Sequence, residues 1–292
     1  MSQQIDANFV QAYSNTFYET GQQMAARFAP FVTTTNGIVG ASKAMERVGK
    51  VDAYDITSRH ADTRYVDTPH SRRWLDLTDK GAAELVDEMD EIRLLADPKS
   101  KYPKIMVQAL NRAKDDVIYA AIRGTARTGS GTQVLPAAQK IAEGGTGLTL
   151  AKLLTAKELL DAAEVEDEGL DMTGQGMASR VIVCSAKQLT NLYGTTEIKS
   201  IDYNSVKALS EGQVDTFLGF KFIRSERLAK TSTTRFAVAW VRSAVALGIG
   251  KDIVTSIDTL PTKNYSVQVY ARMSIGAVRL EDEGVVEIGC FE

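Results

Sequence analysis

The sequence predicts an α+β fold, with helical patterns in its first half and strand patterns in its second, rather than the repeating βαβ units of a parallel sheet. Three observations carry this. The stretch 97–124, DPKSKYPKIMVQALNRAKDDVIYAAIRG, places Met106, Leu110, Ala113, Val117 and Ala121 at the four- and three-residue steps of one helix face. Short extended runs cluster after Arg180. The chain closes on a hairpin signal: Gly276-Ala-Val-Arg-Leu280, a turn at Glu281-Asp-Glu-Gly284, then Val285-Val-Glu-Ile-Gly-Cys-Phe291.

In order, residues 5–28 place Phe9, Tyr13, Phe17, Met24 and Phe28 on one helical stripe, which reads as a packing face. Residues 1–26 hold no Lys or Arg, which an arm grasping DNA would need to displace counterions from phosphate. They predict an arm that packs on protein. Residues 33–76 have few apolar positions, with Val48, Val51, Tyr54, Ile56, Tyr65 and Val66 in short extended segments. Arg59, His60, Asp62, Arg64, Asp67, His70, Arg72, Arg73 and Asp76 are scattered among and after them. Such a segment cannot bury a core of its own, so it reads either as a surface loop or as a two-stranded arm lying on another subunit.

A helical pattern through Ala82, Leu85, Met89 and Ile92 predicts a helix over 78–97, capped by Thr78 or Asp79. Its acidic run Asp87, Glu88, Asp90, Glu91 reads as a solvated face rather than a metal site. The helix over 103–124 begins with Pro103 at a first position and ends before Gly124, with Gln108, Arg112, Lys114, Asp115 and Asp116 on its wet side. Residues 125–150 carry Gly129, Gly131, Gly144, Gly145 and Gly147 without the lysine of a phosphate loop, and read as a flexible connection. A helix follows over 149–166, with Thr155 and Glu158 as a capping box and Leu154 with Leu159 as a staple. Arg180–Cys184 reads as a buried strand, followed by a small helix through Leu189, Leu192 and Tyr193. Phe217–Ile223 alternates as a strand broken by a bulge at Gly219, and 235–247 and 265–280 read as further strands.

With 292 residues, 44 % hydrophobic and 24 % charged, the chain suits one large globular domain or two modest ones. A formal charge of −3 argues against a dedicated nucleic-acid binder. Cys184 and Cys290, the only cysteines, make neither a disulfide framework nor a zinc pattern, which predicts synthesis in a reducing compartment. No apolar run approaches the ~20 residues of a membrane span. His60 and His70 have no metal-ligand spacing, and neither a nucleophile elbow, a His-Glu-x-x-His motif nor a dinucleotide fingerprint occurs. The reading is of a protein with no catalytic residue, metal or cofactor.

Four stretches in this order resemble the major capsid (coat) protein family of tailed bacteriophages. They are Asp97-Pro-Lys-Ser-x-Tyr102 with its helix; LTLAKLLTAKELLDAAE followed by SRVIVCSAKQLTNLYG; Tyr203-Asn-Ser-Val-Lys-Ala-Leu209 leading to Phe217–Ile223; and GAVRLEDEGVVEIGCFE at the end. The resemblance implies the capsid fold shared with encapsulins and herpesvirus capsid proteins. Its parts would be an N-terminal arm (1–33), an extended E-loop hairpin (34–76), a P-domain with a long spine helix (77–130 and 251–292) and an A-domain (131–250). The implied function is a virion subunit, assembled in the host cytoplasm, that forms an icosahedral shell of pentamers and hexamers around double-stranded DNA. Portal, scaffold and decoration proteins are the implied partners, with DNA touched non-specifically and no membrane. An encapsulin-type compartment shell, or a soluble enzyme with an unfamiliar site, are the alternatives. Inter-subunit contacts would fall on Phe9, Tyr13, Phe17, Arg59, Arg64, Asp67, Arg72, Arg73, Glu281, Asp282 and Glu283. Some capsids of this fold are locked by Lys–Asn isopeptide bonds from the E-loop. Here Tyr54–His70 holds no Lys and only Lys43 and Lys50 lie nearer the base, so non-covalent contacts are expected.

Overall fold

The structure is a computed structural model that describes residues 21–60, 62–86, 102–164, 180–194 and 216–292. After a 3-10 turn at Ala29–Phe31 come strands β1 (Thr33–Asn36), β2 (Ser42–Val48), β3 (His70–Asp76) and β4 (Thr78–Val86). Helix α1 (Tyr102–Arg123) leads to the short strands β5 (Ala126–Thr128), β6 (Thr132–Gln133) and β7 (Lys140–Ile141), then helix α2 (Leu150–Ala162). Next are β8 (Arg180–Cys184), α3 (Ala186–Tyr193), β9 (Thr216–Phe217), β10 (Phe220–Arg224), β11 (Lys230–Thr231) and β12 (Thr234–Val241). The long strands β13 (Val245–Leu260) and β14 (Ser266–Arg279) precede β15 (Val285–Phe291). Three sheets result, in the orders β1-β13-β14-β4, β7-β15-β12-β8-β10-β9 with β11 beside β12, and β2-β3-β5-β6.

The described residues divide into two compact units, one drawn from 21–26, 79–86, 102–113 and 252–274, the other from 27–60, 62–78, 114–164, 180–194, 216–251 and 275–292. In the first, Gly81 of β4 lies so close to β14 that an added Cβ would stand 3.3 Å from the Tyr270 hydroxyl. The β13–β14 turn carries Asn264 and Tyr265 in the left-handed region, and the Ser266 hydroxyl donates to the Lys263 carbonyl (2.6 Å). Asn111 of α1 donates to the Met24 carbonyl (3.0 Å) and Arg112 to the Gln22 side chain (2.6 Å).

The second unit holds the larger core. Val181–Cys184, Ala237–Val241 and Gly284–Cys290 are buried without interruption, the mark of strands covered on both faces. Ile118, Tyr119 and Ile122 of α1, Leu153, Ala156 and Leu160 of α2, and Leu192 of α3 share their cluster. Trp240 is fully buried, edge-on to Phe28, and its indole N–H donates to the Phe31 carbonyl (2.8 Å). Asp115 accepts the backbone N–H groups of Arg27 and Phe28 (3.0 Å), fixing where the chain enters this core. The Lys152 ammonium donates to the carbonyls of Glu143 (2.6 Å), Thr146 (2.8 Å), Gly147 (3.1 Å) and Gly289 (2.9 Å). It ties the glycine-rich stretch to β15, so that stretch is a pinned turn beside paired strands rather than a flexible connection.

Several other expectations are corrected. Residues 78–86 form a strand, not the start of a helix, because pairing in the sheet beside β14 overrides a weak helical pattern; the rest of that predicted helix, with Asp87, Glu88, Asp90 and Glu91, lies outside the described residues. The buried face of α1 runs through Met106 and Leu110 as predicted, then passes to Asp115, Ile118, Tyr119 and Ile122. Ala113, Val117 and Ala121 are half-buried, and Gln108, Lys114 and Asp115 lie inside rather than on the wet side. Helix α2 starts at the Thr149 cap, so Thr155 sits mid-helix, its hydroxyl donating to the Ala151 carbonyl (3.1 Å). The capping box forms at Ser185 and Gln188 instead. Leu218 and Gly219 both take positive φ (53° and 84°) and make the turn of a β9–β10 hairpin, not a bulge. The terminal hairpin does not form. The turn after Leu280 carries the chain from one sheet to another, where β15 pairs with β12 and β7.

Candidate functional site

The segment that has no core of its own is 42–76. Strands β2 and β3 pair antiparallel from Ser42 opposite Asp76 to Val48 opposite His70, and the Gly49 N–H closes the ladder on the Pro69 carbonyl (2.7 Å). Beyond that rung, the described residues of 49–69 form no strand or helix and lie almost wholly exposed. Val51, Tyr54, Ile56, Tyr65 and Val66 all stand in solvent, Ile56 at 81 % and Tyr65 at 91 %. Several large apolar side chains left in solvent on one narrow hairpin make this segment a candidate contact surface.

The root of the arm is fastened in two ways. Leu75 is fully buried in a small apolar cluster with Ile38, Ala126, Ala246 and Val278. Around it runs a chain of ion pairs. Glu46 and Arg72, directly opposite on β2 and β3, meet at 2.6 Å. Arg47 reaches Glu281 (3.2 Å), Arg127 reaches Asp76 (3.2 Å), and Arg73 reaches Asp282 (2.8 Å). Asp282 also accepts from Arg279 (2.6 Å), which is fully buried and donates to the carbonyls of Ile122 and Gly124 (2.7 Å each) and Gln133 (3.1 Å). Arg279 thus caps the C-terminus of α1 and links it through Asp282 to β3. The guanidinium groups of Arg72 (5.6 Å) and Arg127 (5.1 Å) both lie over the Trp74 ring. Over this root opens a polar cavity of ≈ 700 Å³ between β2, β3, the β5–β6 turn and Asp282. A second groove lies between Arg47–Lys50, Glu164 and Glu281–Glu283.

Of the predicted contact residues, Arg59, Arg64 and Asp67 are exposed on the arm, Arg64 resting over the Tyr54 ring (5.8 Å). Arg72, Arg73, Glu281 and Asp282 come together at the root, each ion-paired within the chain. Glu283 is exposed beside them. Phe9, Tyr13 and Phe17 lie outside the described residues. Sequence reasoning missed Glu46, Arg47, Trp74, Arg127 and Arg279. The one signal available was the opposite charge of Glu46 and Arg72, which face each other only once the hairpin register is known.

Among the described residues, no group of three or more His, Cys, Asp or Glu side chains is placed to hold a metal, and no helix is long and apolar enough to cross a membrane. Cys184 and Cys290 are buried, and burial pushes both thiols up to about 12. Native protein should therefore give almost no thiol signal with Ellman's reagent at pH 8, and two thiols in denaturant. Because the folded-state values lie above those of free thiols, this contribution to stability is complete below about pH 9 and is lost as the pH rises toward 12.

A family model described as "Phage capsid protein" matches residues 5–292. No curated protein matches the sequence. Among solved structures, the fold is similar to the capsid of Ralstonia phage GP4, with TM-score 0.75, 11 % identity, and 97 % of this chain and 95 % of that chain covered. A Mycobacterium phage Che8 chain gives TM-score 0.70 at 18 % identity, covering 96 % and 97 %. The capsid of cyanophage P-SCSP1u gives 0.70 at 17 %, covering 98 % and 94 %.

Proposed function

The chain belongs to the phage capsid protein family, and we infer from that membership that it is the major capsid protein of a tailed phage, a structural virion subunit rather than an enzyme. Copies assemble in the host cytoplasm as pentamers and hexamers of an icosahedral shell around double-stranded DNA, with portal, scaffold and decoration proteins as partners. Residues 34–76 serve as the E-loop, α1 as the spine helix, and the sheet around β8 and β12 as the heart of the A-domain. The observation that supports this best is the arm. Its root is locked into the subunit, while Ile56 and Tyr65 beyond the last rung stand in solvent. In a lattice, a neighbouring copy covers such a surface. Individual exposed ion pairs there contribute ~0–1 kcal/mol, a small effect that the shell repeats over many copies.

The test is assembly. Electron microscopy and light scattering of the expressed chain should show closed shells, and finding this protein only as monomers or dimers in virions or infected lysate would refute the reading. Replacing residues 51–67 with a short Gly-Ser link spares the pairing of Val48 with His70. That variant should keep its circular dichroism and unfolding midpoint yet form no shells.

A further inference from the structure

We propose that the cavity at the root of the arm is an oxyanion site that takes the aspartate carboxylates of a second copy's arm. The inference rests on the shell reading above and names what the arm's tip binds. The cavity is lined by Arg47, Arg72, Arg73 and His70, against two carboxylates, Glu46 and Asp282. Both acids are already engaged, Glu46 by Arg72 and Asp282 by Arg73 and Arg279. A guanidinium carries five N–H donors and one acid does not exhaust them. Arg73 shows this directly: it is buried, and its Nη1 has no hydrogen-bond partner. A buried donor left unmade is costly, and an incoming carboxylate that draws the guanidinium toward it removes that cost. Arg47 and Arg72 hold their own partners at 30–58 % exposure, so those pairs are weak and exchangeable.

The occupant follows from charge and reach. Residues 51–69 carry Asp52, Asp55, Asp62 and Asp67 against only Arg59 and Arg64, making the tip acidic where the cavity is basic. Each limb beyond the last rung is about ten residues long, and at ~3.3–3.6 Å per residue it spans at most ~30–35 Å from its own root. That span is enough for the tip to leave its own subunit, as docking in a second copy's cavity requires. Opposite potentials on the two surfaces supply register and encounter rate.

Charge reversal tests this. Arg47→Glu with Arg72→Glu should leave a folded subunit, its unfolding midpoint lowered only modestly by the lost exposed pairs and the new like charges beside Glu46 and Glu281, that forms no shells. Asp52→Arg with Asp55→Arg and Asp67→Arg should behave alike, and combining both sets in one chain should restore shells. Normal shells from the cavity-reversed subunit would overturn the site while leaving the capsid reading intact. Failure of the combined variant would overturn the arm as its occupant, and absence of shells from the unmodified chain would strike the capsid reading itself. Independently, a synthetic peptide of residues 51–69, titrated onto the tip-deleted subunit, should change Trp74 fluorescence saturably. Its affinity should fall about tenfold on Arg47→Glu/Arg72→Glu and fall with added salt. If inorganic phosphate matches the peptide, the site takes free anions and the second-copy assignment is wrong; if neither probe moves Trp74, there is no oxyanion site.

Discussion

Replacing Arg279 with methionine is expected to cost the folded subunit about 3–5 kcal/mol, the usual penalty for breaking a buried charge pair from one side. The side chain is fully buried, and its guanidinium serves the carbonyls of Ile122, Gly124 and Gln133 together with the Asp282 carboxylate. Methionine fills similar volume, so cavity formation contributes little and the loss measures orphaned acceptors. The C-terminal carbonyls of α1 lose their cationic cap, and Asp282 is left with Arg73 alone. Thermal unfolding of the unassembled subunit should show a midpoint roughly 10 °C lower, from ~2–4 °C per kcal/mol in a chain of this size. Arg279→Lys should recover only part, since a point charge lacks the planar fork by which the guanidinium reaches Asp282 through Nε and the three carbonyls through Nη1 and Nη2. Arg47→Ala is the control. It removes a half-exposed pair with Glu281 and should move stability by less than about 1 kcal/mol. Equal effects at the two arginines would mean that the buried hub does not hold the arm root to α1.

The contrast between these two arginines shows what was legible in the sequence. The bounds of helix α1 were readable almost to the residue, because Pro103 and Gly124 are local signals that need no partner, but its buried face was not, since past Leu110 it runs through Asp115, Ile118, Tyr119 and Ile122. The hairpin was readable for the opposite reason: residues 33–76 hold few apolar positions, and a segment that cannot bury a core of its own reads as a surface loop or an arm. Partnerships between distant side chains were not readable. Asp115 looks like a solvated helix residue until the N–H groups of Arg27 and Phe28, more than 80 positions away, are folded onto it. Arg279 looks like the outward residue of a hairpin strand, and its burial follows from β15 joining a different sheet. Residues 78–86 misled because Ala82 and Leu85 match helix spacing by chance, and neighbouring strands decide such cases. The site suffered most. Its members come from β2, β3, β5, β14 and the turn before β15, and only tertiary register makes Glu46, Arg72, Arg73 and Asp282 neighbours.

Gly276→Ala is expected to destabilise the subunit by about 3 kcal/mol or more, the upper range of overpacking penalties, with no change of charge or polarity. Leu75, the apolar plug of the arm root, lies against two glycines on separate strands, Gly248 of β13 and Gly276 of β14. A Cβ at either would overlap it or its neighbours, but the obstacles differ in kind. At Gly248 the overlapped atoms are the methyl ends of Leu75 and Ile38, which can change rotamer. At Gly276 the first obstacle is the carbonyl oxygen of Asp76, a backbone atom at the end of β3, which moves only if the arm's root moves with it. Gly248→Ala should therefore cost less than Gly276→Ala. Double-mutant cycles with Leu75→Ala, itself worth about 2–5 kcal/mol, separate the two mechanisms. Truncating Leu75 removes one of the two obstacles to the new methyl at 248 and gives the Ile38 methyl space to turn into, so that pair should cost less than the sum of its parts. At 276 the carbonyl stays where it was, so the costs should add to within about 0.5 kcal/mol. Chemical denaturation of the unmodified chain, the three single variants and the two doubles reads both couplings. Additivity at 248, or strong rescue at 276, would mean that the arm is seated on β13 and β14 by something other than the fit of Leu75 against two bare strands.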